Sequence, residues 1–103
     1  MKEFYQGDII KIADYKKQLF VIISKNAYIK AVGRFHVCPL INATFEGPTH
    51  IPITANKLTS GTVICDQIKP IDPNARTCTK VDSLKYEDII NISDCIQGLF
   101  EYD

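Results

Sequence analysis

Apolar and polar positions along this chain follow the period of strands for about four-fifths of its length and the period of a helix near the end. Asp8-Ile9-Ile10-Lys11-Ile12-Ala13 carries β-branched residues in partial alternation and predicts a first strand. Leu19 to Ile23 is continuously apolar, the pattern of a central strand buried on both faces. Ala27 to Val32 has room for a helical turn that Gly33 ends. Arg34 to Ile41 predicts a third strand, with Phe35 and Val37 on one face and Arg34, His36 and Cys38 on the other. Pro39 removes a ladder donor and predicts a strand edge, bulge or end. His50 to Ile53 is a short strand that Pro52 assigns to an edge, and Gly61 opens an apolar strand through Val63, Ile64 and Cys65. Pro70, Pro73 and Asn74 predict a turn. Thr77 to Val81 alternates and predicts the last strand.

The period then changes. Tyr86, Ile89, Ile90, Ile92, Cys95, Ile96, Leu99 and Phe100 recur at three- and four-residue steps, predicting an amphipathic helix of roughly four to five turns laid on the sheet. Asp82 or Ser83 is the expected N-cap, and Glu87 and Asp88 suit the positive end of the helix dipole. Gly98 predicts a close packing contact or fraying near the last turn. Strands followed by one helix define a mainly β (α+β) class, a small barrel of roughly five to seven strands with a C-terminal helix.

Composition narrows this only a little. A chain of 103 residues suits one domain, 1–103, with a core of its own. Twelve basic and 12 acidic side chains give a formal net charge of zero, so a basic nucleic-acid footprint is absent from the chain as a whole and a local patch stays open. Cys38, Cys65, Cys78 and Cys95 form no C-x-x-C pair, and no metal site or cofactor is expected. They read as reduced thiols of a cytoplasmic protein, with a Cys38–Cys65 bridge as the rival. Met1 to Gln6 lacks a signal-peptide core, and no apolar run approaches the ~20 residues of a membrane span.

Several stretches, in order, resemble the toxins of the MazF/PemK family. They are Gly7-Asp8-Ile9, Val21-Ile22-Ile23-Ser24 with Asn26, Val37-Cys38-Pro39-Leu40, Pro48-Thr49-His50-Ile51-Pro52-Ile53, Gly61-Thr62-Val63-Ile64-Cys65-Asp66-Gln67 and the closing helix. The resemblance implies an SH3-like barrel, a homodimer, an antitoxin partner and metal-independent cleavage of single-stranded RNA. The family's arginine, in an Arg-Pro pair before the second strand, falls at about Gln18-Leu19. Its threonine after the third strand falls at about Ile41-Asn42. Asp66 stands where relatives carry an acid, with Gln67 beside it.

Gln18 brings no positive charge, and Ile41 brings no hydroxyl. Candidate substitutes for the cleavage chemistry are Arg34, His36 and Asp66: a phosphate-binding cation, a group that titrates near neutrality, and a carboxylate. A solvated sheet face is the simpler reading of Arg34 and His36. Candidate RNA contacts are Lys16, Lys17, Gln18, Asn42, Thr44, Phe45 and Gln67, with Phe45 the base-stacking candidate. The alternative is a non-catalytic binding protein on the same scaffold, as in the related CcdB toxins. A third is an unrelated SH3-like module.

Overall fold

The computed structural model describes residues 3–44 and 46–102. Its elements are β1 (Asp8–Ile12), β2 (Leu19–Ile22), α1 (Asn26–Val32), β3 (Phe35–Ile41), β4 (His50–Thr54), β5 (Ser60–Ile64), β6 (Lys69–Ile71), β7 (Cys78–Ser83) and α2 (Tyr86–Leu99). The strands form one antiparallel sheet in the order β4-β5-β3-β2-β1-β7, with β6 also paired to β3. The fold is therefore mainly β with a C-terminal helix, as the alternation and its late change of period require. No helix among the described residues is long and apolar enough to cross a membrane.

Both faces of the sheet are covered, which is why β2 and β3 read as continuous apolar runs. On one face Ile9, Val21, Cys38, Leu40, Val63 and Cys65 pack with Leu84 and with Ile92 of α2. On the other, Ile10, Ile12, Phe20, Ile22, Phe35, Val37 and Ile71 form a second cluster, against which Phe4, Tyr15 and Ile29 of α1 pack. Ile92 is the one fully buried side chain of α2. Its burial contributes about 1.5–3 kcal/mol. The half-buried Ile89, Cys95 and Ile96 complete the helix's apolar stripe.

Four local expectations change. Lys69–Ile71, within a stretch expected to turn, is strand β6, which pairs Phe35 with Ile71 and Val37 with Lys69. Pro39 lies inside the central strand and opposite Phe20. It is tolerated there because β3 changes partners around it: Val37 is the last residue paired with β6 and Leu40 the first paired with β5. A missing N–H costs least where the ladder is already interrupted.

The N-cap of α2 is Lys85, with no side-chain cap. Asp82 and Ser83 are engaged elsewhere. Asp82 Oδ1 accepts from the Lys57 and Ser83 N–H groups at 2.8 and 2.7 Å, and Oδ2 from the Thr59 N–H at 3.1 Å. The Ser83 hydroxyl accepts from the Asn56 amide at 3.1 Å. Gly98, finally, has no neighbour within 4 Å of where a Cβ would stand, so of the two alternatives expected there the close packing contact is not found. Gly33 does what the sequence asks of it: at φ 76° it closes α1, its N–H returning to the Ile29 carbonyl.

Candidate nucleic-acid interface

Two loops meet at one end of the sheet. The β1–β2 turn is a tight one: Tyr15 N–H bonds the Ile12 carbonyl, Gln18 N–H bonds the Tyr15 carbonyl, and Lys17 takes a left-handed φ of 63°. Tyr15 holds the turn down. Its ring meets Phe20 edge-on at 5.3 Å, and Lys69 Nζ donates to its hydroxyl at 3.1 Å. Arg76 lies 5.5 Å from the same ring and pairs with Asp14 at 2.7 Å. A non-glycine residue in the left-handed region costs roughly 1 kcal/mol, and the anchored turn sustains it.

The second loop leaves β3. Ala43 N–H returns to the Ile41 carbonyl at 2.8 Å, and the buried Thr62 hydroxyl donates to the Ala43 carbonyl at 2.7 Å. Gly61 of β5 lies against this point; a Cβ there would collide with the Ile41 carbonyl oxygen. The Gln18 amide ties the two loops together, Nε2 donating to the Leu19 carbonyl at 2.8 Å and the Leu40 carbonyl at 3.1 Å.

These constraints shape a groove in two parts. A recess of about 390 Å³ is lined by Lys17, Gln18, Leu19, Leu40, Ile41, Asn42, Thr59 and Ser60. Asn42 and Ser60 also line a second recess of about 500 Å³, with Ala43, Thr44, Thr54, Lys85, Glu87 and Asp88 among its walls. The first part holds a cation, two amides and two hydroxyls, and no carboxylate lines it. The second adds Lys85 and two carboxylates from the first turn of α2. Partial burial, together with the charge of Glu87, pushes the Asp88 carboxyl up from its ordinary range, against the opposing pull of Lys85.

The groove is rigidly backed. The segment that carries Thr59 and Ser60 into it hangs from Asp82. Burial alone pushes the Asp82 carboxyl up. The Thr59 hydroxyl and the Lys57, Ser83 and Thr59 backbone N–H groups outweigh that and bring it down to about 2.

The sequence candidates divide between places. Lys17, Gln18 and Asn42 share the first recess, and Thr44 joins Asn42 in the second. Lys16 is exposed beside Lys17 in the same turn. Phe45 lies outside the described residues. Arg34 and His36 sit at the opposite end of β3, where His36 pairs with Pro70. At about 3.3 Å per residue, His36 stands roughly 20 Å from Asn42. The His36 ring is tied down: Nδ1 and the Ser24 hydroxyl are 2.9 Å apart, the Ser24 oxygen accepts the His36 N–H at 2.8 Å, and Tyr28 packs on the ring at 5.6 Å. Arg34 is exposed just before the strand. Asp66 and Gln67 are exposed in the turn after β5, opposite the middle of β3. Sequence reasoning missed Thr59, Ser60 and Lys85, and it read Glu87 and Asp88 only as dipole partners. Gly61 was the available signal, because a glycine at a strand start marks a close backbone approach.

The chain is thus a small antiparallel sheet covered by a C-terminal helix, with a polar groove between its β1–β2 and β3–β4 loops. The sequence matches the family described as PemK-like, MazF-like toxin of type II toxin-antitoxin system over residues 5–100, and the chain belongs to that family. No curated protein matches it. Among solved structures, MazF in the MazE–MazF complex (Form-I) of Deinococcus radiodurans superposes with a TM-score of 0.82 at 16% identity, covering 96% of this chain and 97% of that one. An endoribonuclease in complex with its cognate antitoxin, from a Mycobacterial species, gives 0.76 at 15% identity, covering 98% of this chain and 100% of that one. At such identities the likeness carries the fold, and the chemistry has to be argued from the groove.

Proposed function

We propose that this protein is the toxin of a type II toxin–antitoxin pair, working in the cytoplasm as a homodimer, and that it cleaves single-stranded RNA in the groove between the β1–β2 and β3–β4 loops. One observation supports the reading: Lys17, Gln18 and Asn42, gathered from two distant segments, line a single recess, and Gln18 and Asn42 stand at about the positions to which the family resemblance carries its arginine and threonine. Lys17 supplies the cation for phosphate. The Asn42 amide and Ser60 hydroxyl supply donors to its oxygens, and Asp88 in the adjoining recess takes the 2′-hydroxyl proton. Attack of that oxygen on the adjacent phosphorus forms a 2′,3′-cyclic phosphate and breaks the P–O5′ bond, and the departing oxygen takes a proton from water to leave as a 5′-hydroxyl. The exposed apolar side chains Tyr86, Ile90, Leu99 and Phe100 on and after α2 give a second copy or an antitoxin a surface to cover.

The purified protein, without added metal, should cut a mixed-sequence RNA, and its antitoxin should block the reaction. RNA left intact under conditions where an active relative cuts it rules cleavage out.

A second reading is favoured by Gln18. Its amide is spent on two carbonyls and it brings no charge to a phosphoryl transition state. On that reading the groove binds without cutting. Gln18→Arg separates the two: a rate rise of about tenfold or more supports a working site that lacks only charge, and no gain with unchanged RNA affinity supports binding alone.

A further inference from the structure

Three thiols meet between the sheet and α2. Cys38 and Cys65 are fully buried on the helix-covered face, and half-buried Cys95 of α2 packs against the cluster that holds them. Cys38 Sγ lies 3.7 Å from the Cys65 carbonyl oxygen. Cys95 lies against the cluster that contains Cys65, and the two thiols influence each other there. The backbone brings both residues to one place. Consecutive carbonyls of one dipeptide hold both residues, Thr49 O accepting the Cys65 N–H at 2.9 Å and Pro48 O lying 3.8 Å from Cys95 Sγ. No disulfide joins Cys38, Cys65 or Cys95, and all three are reduced thiols. Among the described residues no group of three His, Cys, Asp or Glu side chains is arranged to hold a metal ion.

We propose that Cys65 and Cys95 are a disulfide-forming pair that a peroxide oxidises, covalently tying α2 to the end of β5. Cys95 is the point of entry because it alone of the three reaches solvent. Its sulfur attacks one peroxide oxygen and the O–O bond breaks. That oxygen stays as the sulfenic acid, and the other leaves as water with the thiol proton. The Cys65 sulfur then attacks the Cys95 sulfur. The S–S bond forms, the S–O bond breaks, and the hydroxyl leaves as a second water with the Cys65 proton. The two thiols lose two electrons and the peroxide gains them.

The second step is slow. Burial pushes the Cys65 thiol far up, and it pushes Cys38 up to about 12 with the Asp66 charge adding to the effect. A bond here restrains the helix whose first turn walls the groove.

The test is exposure of the full-length protein to hydrogen peroxide, alkylation of remaining thiols, tryptic digestion without reductant and mass mapping. Trypsin places Cys38 between Arg34 and Lys57, Cys65 between Lys57 and Arg76, and Cys95 beyond Lys85, so each pairing has its own mass. The expected product joins the Cys65 and Cys95 peptides within one chain, is reversed by dithiothreitol, is lost in Cys95→Ser and is kept in Cys78→Ala. The oxidised protein should melt several degrees higher than the reduced one. A Cys38–Cys65 link, dimers joined through Cys95, or Cys95 over-oxidised with Cys65 still free overturns the proposal. The wild-type map decides this even if a variant folds poorly.

Discussion

The two ends of β3 carry different side chains and offer different chemistry. At one end His36 and Arg34 supply a titratable ring and a cation. The ring is spent on the Ser24 hydroxyl and covered by Tyr28, and the guanidinium stands in solvent before the strand begins. At the other end Gln18 and Asn42 supply only amides. They stand in a recess with Lys17 and Ser60, braced by Thr62, Gly61 and the Asp82 carboxylate. A site is made by convergence and bracing more than by the reactivity of any one residue, because placed donors act without reorganising. The imidazole is the more reactive group, and the amides hold the better position.

Removing the brace should have the largest effect. Asp82→Ala leaves three backbone N–H groups without their acceptor, which costs about 3 kcal/mol or more of stability by chemical denaturation. It also frees the segment leading to Ser60. The same carboxylate sets an acid limb. Its pKa falls from an ordinary 3.8 to about 2 on folding, so its stabilisation is complete above about pH 4 and is lost as pH falls through 2. Asp82→Asn should flatten that limb in a pH series of unfolding curves.

Proton transfer comes next. Asp88→Asn should slow cleavage about 10²-fold while RNA affinity holds within a few-fold, as read by single-turnover kinetics beside a binding isotherm. A parallel loss of affinity would make Asp88 a structural residue of the groove wall.

Charge at the groove end follows. Lys17→Asn removes the cation and suits the left-handed backbone. It should weaken RNA binding about tenfold at low salt and lower the salt slope by roughly one phosphate contact. Arg34→Ala should change binding less than twofold. If the two variants trade effects, the two ends of β3 have been assigned in the wrong order.

The smallest effect concerns Leu58, exposed at the tip of the β4–β5 turn with φ 72°. Leu58→Asn should stabilise the free protein by about 0.5–1 kcal/mol in a thermal melt, because the strained backbone then carries a residue that tolerates it. A loss instead would mean that the leucine packs in solution.

Much of this architecture was legible in the chain. Leu19 to Ile23 announced a two-sided central strand, and the spacing from Tyr86 to Phe100 announced the covering helix, because burial on two faces or one stripe leaves a periodic trace. Strand β6 left none: three residues with a central proline carry a turn's signature, and only pairing with Phe35 to Val37 makes them a strand. Asp82 looked like a cap because its sequence position fits one, but its hydrogen bonds go to Lys57 and Thr59, a long-range contact that local pattern cannot encode. The groove was half legible. Lys17, Gln18 and Asn42 could be named from the family resemblance. Ser60 and Lys85 arrive there through strand register and helix placement alone.

The most direct measurement is the amide and side-chain NMR shift map of the protein titrated with a single-stranded oligonucleotide made uncleavable by 2′-O-methylation. The account predicts perturbations clustered at Lys17, Gln18, Asn42, Thr44, Ser60 and Lys85, with Ser24, Arg34 and His36 unmoved. Shifts centred on Arg34 and His36, with the groove silent, would contradict it.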